Sequence, residues 1–176
     1  MEYKRKKENR TDYGKRLKLL KSGKPRLVIR DSLKSISAQV VQYEPDGDKT
    51  LVSAHSKELV KLGYAVPRRN IPTAYLVGAL IAKKSKEKSI KEVTPDTGFC
   101  TGVGGSVAFS LIKGVKDGGL DVNLDEKSMP RGDRIEGKHI ADYAGKMKDR
   151  FSKYEVEPSK ISNIFKEVKR KLIENA

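Results

Sequence analysis

Two periods of apolar residues divide the chain. Short runs rich in β-branched residues predict three strands, at residues 26–30, 35–43 and 50–54, joined at hairpin spacing. The turn Pro45-Asp46-Gly47-Asp48 favours this order, because proline presets φ and glycine supplies a positive φ. A fourth strand is predicted at residues 90–94, and residues 120–131 show no regular pattern. The first three strands therefore form an antiparallel meander.

Helical spacing dominates elsewhere. Thr11 or Asp12 can cap a helix that Gly23 ends, and Asn70 can cap a long one whose first half is apolar on most sides and is predicted to be buried. The last helix carries a narrow apolar stripe that predicts docking on a core or on a partner. The predicted helices are residues 13–20 or 13–21, 56–62, 72–88, 107–115 or 107–116, 135–151, and one that follows Pro158 with the stripe Ile161, Ile164, Phe165, Val168 and Leu172.

This order of elements predicts an α/β or α+β domain with a mixed sheet. A crossover through the buried helix brings the fourth strand beside the meander. A chain of 176 residues is long enough for one domain, with or without a tail.

Positive charge is concentrated at the start of the chain. The first thirty residues hold twelve basic and three acidic residues, and the whole chain has a net charge of +15. Nucleic acid is the commonest partner for such a segment, and Tyr3 and Tyr13 within it can stack on unpaired bases. Residues 1–10 are almost without apolar side chains, so we expect them to be unstructured until RNA orders them.

Other classes of protein fit the sequence less well. The central strands carry almost no carboxylates for a two-metal enzyme, and His55, His139 and Cys100 lack the spacing of a zinc site. A single cysteine forms no disulfide framework, and no apolar region follows the basic N-terminus as in a secretory signal. The longest apolar run, residues 74–82, is too short to cross a bilayer, so a soluble or peripheral protein is expected.

One loop offers an alternative chemistry. Residues 98–106 (GFCTGVGGS) follow a strand and precede a helix, so their backbone N–H groups can bind phosphate. The loop does not match the spacing of the known nucleotide-binding motifs. An enzyme that binds a phosphate or a nucleotide through this loop remains one alternative. An RNA phosphate or a simple tight turn fits the same residues.

Several segments, in chain order over residues 3–150, carry a resemblance to a known family. They are Thr11-Asp12-Tyr13 and residues 15–28 (KRLKLLKSGKPRLV), 49–56 (KTLVSAHS), 70–76 (NIPTAYL), 96–98 (DTG), 113–120 (KGVKDGGL) and 139–144 (HIADYA). Together they resemble the large-subunit ribosomal proteins that bind 5S rRNA, called protein eighteen in bacteria and archaea and protein five in eukaryotes. Two positions depart from the family pattern, where Cys100 replaces an expected His and Val107 an expected Arg.

The resemblance implies a three-layer α/β/α fold with a ribonuclease-H-like motif and no catalytic site. It implies binding to 5S rRNA, to the large-subunit (23S-type) rRNA and to neighbouring large-subunit proteins at the central protuberance of a cytoplasmic ribosome. It implies no enzymatic activity, and we expect no cofactor, metal, membrane contact or small-molecule substrate. The length is typical of archaeal members. Another rRNA-binding protein of the same fold, such as one of the small subunit, is the nearest alternative.

The expected organisation has three parts: a basic arm with a short helix (residues 1–24), an α/β RNA-binding domain (25–151) and an amphipathic C-terminal helix (152–176). Under the resemblance, one group of arm residues holds RNA phosphates: Lys4, Arg5, Lys6, Lys7 and Arg10. A second group forms the junction between arm and body: Tyr13, Arg16, Lys24, Arg26 and Arg30. The remaining expected RNA-binding residues are Lys15, Lys18, Ser32, Lys34, Arg68, Arg69, Asn70, Thr101 and Lys113.

Overall fold

A five-stranded sheet forms the centre of the protein. The computed structural model describes residues 3–9, 11–99, 103–123, 125–147, 151, 154 and 156–173. Its strands are β1 (Arg26–Asp31), β2 (Ile36–Gln42), β3 (Lys49–His55), β4 (Glu92–Asp96) and β5 (Asp121–Val122). They lie in the order β3-β2-β1-β4-β5, with β1, β2 and β3 antiparallel and with β4 parallel to both β1 and β5. The predicted mixed sheet with an antiparallel meander is confirmed.

Helices lie on both faces of this sheet. On one face α4 (Ile71–Glu87) packs on β2 and β3, and α5 (Val107–Asp117) packs on β1, while α2 (Tyr13–Leu20) adjoins the other face. The three-layer α/β/α arrangement is therefore confirmed. Within the described residues the α-helices are α1 (Lys4–Lys7), α2 (Tyr13–Leu20), α3 (Glu58–Lys61), α4 (Ile71–Glu87), α5 (Val107–Asp117), α6 (Gly132–Ile135), α7 (Lys138–Lys146) and α8 (Ile161–Ile173), with short 3-10 turns at Glu126–Ser128 and Pro158–Lys160.

Helix α4 is the centre of the core. Every residue from Ile71 to Ala82 is buried, as the apolar sequence predicts, because the sheet, α5 and α8 surround it. Asn70 caps its first turn by accepting a hydrogen bond from the backbone N–H of Thr73 at 2.8 Å. By packing on β2 and β3 as well as on α5 and α8, the helix holds the meander in a fixed position relative to the other helices, and the opposite face of the sheet is left uncovered by it.

Helices α4 and α5 touch through their backbones. A Cβ on Gly78 would lie 2.1 Å from the carbonyl oxygen of Leu111, and one on Gly114 would lie 2.1 Å from that of Tyr75. Glycine is therefore required at both positions of the crossing. The close approach lets α5 reach β1 while α4 covers the neighbouring strands.

The C-terminal stripe docks on this same core. Ile161, Phe165, Val168 and Leu172 of α8 are buried, and Phe165 packs against the ring of Tyr75 in α4 with 5.5 Å between ring centroids. The sequence left open whether this stripe meets the domain or a partner, and the contact is with the domain.

Three expectations about local structure were wrong. Residues 120–131 contain β5, which pairs with β4 over two residues. The helix predicted to begin at residue 135 begins at Lys138, as α7, while Ile135 ends the separate short helix α6. Gly137 separates the two helices, with a φ of +81° and a Cβ position crowded by Ile161 and Pro72. Residues 1–10 were expected to be unstructured until RNA orders them, but Lys4–Lys7 within that segment form the single helical turn α1.

None of the helices in the described ranges combines the length and the apolar character that a bilayer crossing requires. No group of three or more His, Cys, Asp or Glu residues in those ranges is arranged to hold a metal ion.

Candidate nucleic-acid interface

The arm is joined to the sheet through helix α2. Asp12 caps this helix by accepting a hydrogen bond from the backbone N–H of Lys15 at 3.0 Å. The helix ends before Gly23, which adopts a φ of +67°, and the chain then enters β1. Cap, helix and stop signal all follow the pattern predicted from the sequence.

A buried arginine fixes this junction. Arg26 is only 4% exposed, and its Nη1 and Nη2 atoms donate to Asp96 Oδ2 at 2.8 Å and Asp48 Oδ2 at 2.6 Å. The other carboxylate oxygen of Asp48 accepts from Nη2 of Arg16 on α2 at 2.9 Å. Asp48 therefore ties α2 to β1, and both arginines are neutralised within the protein. This geometry favours a positioning role for the pair.

Three other cations, beside the face of the sheet opposite α4, contact only uncharged oxygens among the described residues. Arg5 Nε donates to Thr11 Oγ1 at 3.0 Å, and Arg30 Nη1 donates to the carbonyl of Ile29 at 2.8 Å. Lys15 Nζ donates to the carbonyl of Gly98 at 2.7 Å and reaches Thr97 Oγ1 at 3.4 Å. No carboxylate of the described chain compensates their charge, so they are available to an anion.

These cations border an open cleft of about 680 Å³ on the face of the sheet opposite α4. Because side chains alternate along a strand, Leu27 and Ile29 point into the core while Val28 lines the cleft. Val41 of β2 adds to this apolar lining. The cleft thus combines an apolar floor with a rim that carries uncompensated positive charge.

An aromatic cluster adjoins the cleft. The rings of Tyr3 and Tyr13 are stacked, with centroids 5.0 Å apart and an interplanar angle of 30°. Together with Lys6 and Phe99 they line a second, smaller cleft of about 480 Å³. Phe99 lines both clefts and is 58% exposed. Flat exposed rings among cations are the usual means of binding unpaired nucleotides.

A comparison with known protein families matches residues 1–97 to the family described as "Ribosomal large subunit proteins 60S L5, and 50S L18". The chain belongs to this ribosomal protein family. It is therefore an RNA-binding component of the large ribosomal subunit, a ribonucleoprotein that acts in translation. The matched segment contains the arm, the meander, α4 and β4, so it includes almost all residues that line the two clefts.

Several predicted interface residues of this ribosomal protein are engaged in internal contacts. Lys24 Nζ lies 2.6 Å from Glu92, and this hydrogen bond and charge raise the pKa of Lys24. Arg69 donates twice to Asp31, at 2.9 and 3.2 Å, which raises the pKa of the guanidinium group. Asn70 accepts from the backbone at the start of α4 and donates to the carbonyl of Pro67.

The remaining predicted residues are distributed around the ribosomal protein. Exposed side chains of α1 include Lys4, Lys6 and Lys7, and Lys18 is exposed on α2. Ser32 closes the β1–β2 hairpin by bonding to Ser35 at 2.8 Å. Three more lie in separate places: Lys34 is exposed in that hairpin, Arg68 is exposed before α4, and Lys113 is half-buried on α5, across the sheet from the clefts. Arg10, Thr101 and Cys100 lie outside the described residues.

Two residues of the site were missed from the sequence. Phe99 was quoted only as part of the glycine-rich loop, because residues 92–112 around it contain no Lys or Arg and so give no local signal for base stacking. Asp48 was assigned only to a turn, and no local pattern indicates that it joins Arg16 to Arg26.

Proposed function

We propose that this chain binds 5S rRNA and helps attach it to the large-subunit (23S-type) rRNA at the central protuberance of the cytoplasmic ribosome. Neighbouring large-subunit proteins are its further partners. The role is structural, with no catalysed reaction, no cofactor and no small-molecule substrate. Membership of the large-subunit family supports this proposal, and the choice of 5S rRNA rests on the resemblance described above.

One observation carries the proposal, namely the uncompensated positive charge around the open face of the sheet. Arg5, Lys15 and Arg30 contact only neutral oxygens of the described chain, and α1 beside them is made entirely of basic residues. Lysine and arginine gain binding free energy from phosphates by releasing counterions. The arm thus supplies affinity, and the sheet holds the cations in fixed positions.

Competition between RNAs tests the choice of partner. The full chain is bound to labelled 5S rRNA on a filter, and unlabelled 5S rRNA or small-subunit rRNA is added. We expect 5S rRNA to compete at much lower concentration, since a structural role requires recognition of one folded RNA. Equal competition by the two RNAs would overturn the assignment to 5S rRNA and favour a different rRNA partner.

The salt dependence of binding tests the role of the arm. We expect the logarithm of the association constant to fall with log salt with a slope of about −4 to −8, as for contacts to several phosphates. Removing three charges of the arm should make this slope shallower by about 0.9 for each phosphate that the variant no longer neutralises. The test variant changes Lys4, Lys6 and Lys7 to Gln, and the matched control changes the exposed Lys57, Lys61 and Lys127 to Gln.

Deletion of residues 1–10 is the stronger form of this test. It should weaken 5S rRNA binding steeply while the circular dichroism spectrum keeps the signature of the folded domain, because none of residues 3–9, the part of that segment that the structure describes, is buried in the core. Unchanged affinity of the truncated chain would remove the arm from the binding site. An equal loss in the Lys57, Lys61 and Lys127 variant would show that only total charge matters.

A further inference from the structure

We propose that the groove formed by the two clefts around Phe99 binds an unpaired nucleotide of the RNA. Its base lies against the ring of Phe99, and its phosphate lies beside Lys15 and Arg30. This inference rests on the proposed function, because the RNA proposed there supplies the nucleotide. It names the class of ligand, an unpaired nucleotide, and the residues that would select this nucleotide over a base-paired helix.

The two cations are brought to one peptide unit. Lys15 Nζ donates to the carbonyl of Gly98 at 2.7 Å, and Arg30 Nη1 lies 3.0 Å from the place that a Cβ of Gly98 would occupy. Gly98 has a φ of +61°, and its N–H donates to Asp96 Oδ1 at 3.0 Å. The turn is therefore fixed, and the ammonium and guanidinium groups converge on it from α2 and from β1.

The same turn presents Phe99. This residue follows Gly98 directly, is 58% exposed and belongs to the walls of both clefts. A large ring held in water beside cations has an unburied apolar face that a nucleobase can cover by stacking. Val28 and Val41 extend this apolar surface along the sheet, and the stacked Tyr3 and Tyr13 extend it along the arm.

The charges around the groove favour an anion over a neutral partner. Four aspartates also line the larger cleft, but each is already bound: Asp12 caps α2, Asp31 holds Arg69, Asp48 holds Arg16 and Arg26, and Asp96 holds Arg26 and the N–H of Gly98. The cations without a carboxylate are therefore the ones free to act on a ligand. A phosphate with an attached planar ring satisfies the cations and Phe99 together, whereas a base-paired helix keeps its rings stacked within itself.

Phe99→Ala in the full chain tests the groove against 5S rRNA. Stacking is a contact without ionic character, so we expect affinity to fall about 5- to 100-fold at every salt concentration, with an unchanged salt slope. Phe99→Trp should retain the affinity. Lys15→Ala should instead make the slope shallower by about 0.7, the value for a phosphate of a single strand. The matched control is Tyr143→Ala, which removes an exposed ring of α7 outside both clefts and should leave binding unchanged.

Two further measurements test the nucleotide itself. Chemical probing locates the unpaired base, and binding of a short RNA tests whether the groove accepts a single strand. Dimethyl sulfate probing of the saturated 5S rRNA complex should show at least one unpaired base that is protected by the wild-type chain and reactive again with Phe99→Ala. A single-stranded RNA octanucleotide should also bind the wild-type chain more tightly than the variant in fluorescence anisotropy. This second result tests the groove even where 5S rRNA is not preferred over small-subunit rRNA, so the two proposals fail separately. Equal affinity of Phe99→Ala and wild type for 5S rRNA and for the octanucleotide would overturn the inference.

Discussion

The crossing of α4 and α5 gives the sharpest prediction for stability. A Cβ at position 78 would lie 2.1 Å from the carbonyl oxygen of Leu111, whereas ordinary van der Waals contact begins at 3.4 Å. The obstacle is backbone, so no change of rotamer relieves it. In Gly78→Ala the two helices must separate by about 1.3 Å, which is the difference between those distances.

Two opposing free energies decide the outcome. Alanine gains about 1 kcal/mol of helix propensity over glycine. Overpacking of a close-packed core costs about 1–3 kcal/mol, and moving two helices apart also loosens the buried residues around the crossing, where cavities add to the cost. We expect the clash to win and the free energy of unfolding to fall by about 2 kcal/mol.

Urea unfolding followed by far-ultraviolet circular dichroism measures this change. With a slope of about 2 kcal/mol per molar urea, the midpoint should fall by about 1 M. Gly145→Ala in α7 is the matched control, because its Cβ would meet no atom within 4 Å. The control should be unchanged or more stable by up to about 1 kcal/mol. A Gly78→Ala variant as stable as its Gly145→Ala counterpart would refute the backbone contact.

Three further predictions concern single side chains. Asp96→Ala removes a partner of the buried Arg26 and should lower the free energy of unfolding by about 3 kcal/mol in urea titrations. Phe165→Ala empties a site between α8 and α4 and should cost about 3–5 kcal/mol, measured in the same way. Burial raises the pKa of Glu58, but hydrogen bonds from Lys84 and from the backbone N–H of His55 outweigh burial, so the pKa of Glu58 is lower in the folded chain than in the unfolded chain. Its stabilisation is therefore present above the unfolded pKa and is lost as the pH falls through the folded pKa. Glu58→Gln should make the loss of stability below about pH 4.5 less steep.

Exposed residues of the same or a similar type serve as controls for these three variants. The control for Asp96→Ala is Asp46→Ala, at an exposed position in the turn that also contains Asp48. The control for Phe165→Ala is Leu33→Ala, which removes a side chain that is 90% exposed, and the control for Glu58→Gln is Glu44→Gln, which changes an exposed carboxylate. Each should change the free energy of unfolding by less than about 0.5 kcal/mol. A control that loses as much stability as its partner variant would contradict the assigned interaction.

The main elements of the fold could be predicted because their signals are local. Helix α4 carries apolar residues on most of its sides, and α2 has its cap and its stop within a few residues. Strand β5 could not be predicted, because two residues show no alternation and their extended form depends on pairing with β4. The break at Gly137 was missed for a similar reason, since the contacts that crowd it come from Pro72 and Ile161.

The candidate site shows the same division. The density of positive charge in the arm is visible in the sequence, and it led to the correct class of partner. Which cations remain uncompensated is decided by distant residues. Arg26 is neutralised by Asp96, seventy positions away, while Arg30 in the same strand donates to a carbonyl oxygen and has no carboxylate partner within the part of the chain that the structure describes. Such pairing follows from the parallel register of β1 and β4 and has no local pattern.

The burial of α4 has a consequence for synthesis of the chain. The segment that matches the family ends at residue 97, before α5 begins at Val107. At about 5–20 residues per second, a translating ribosome needs about 1–4 s to add the next twenty residues. Until those residues have been added, the chain lacks the helix α5, which covers the face of α4 around Gly78. A fragment that stops at the end of the family match would keep that surface in water and would be prone to aggregate, so the segment that carries the family signature depends on the later segment for its solubility.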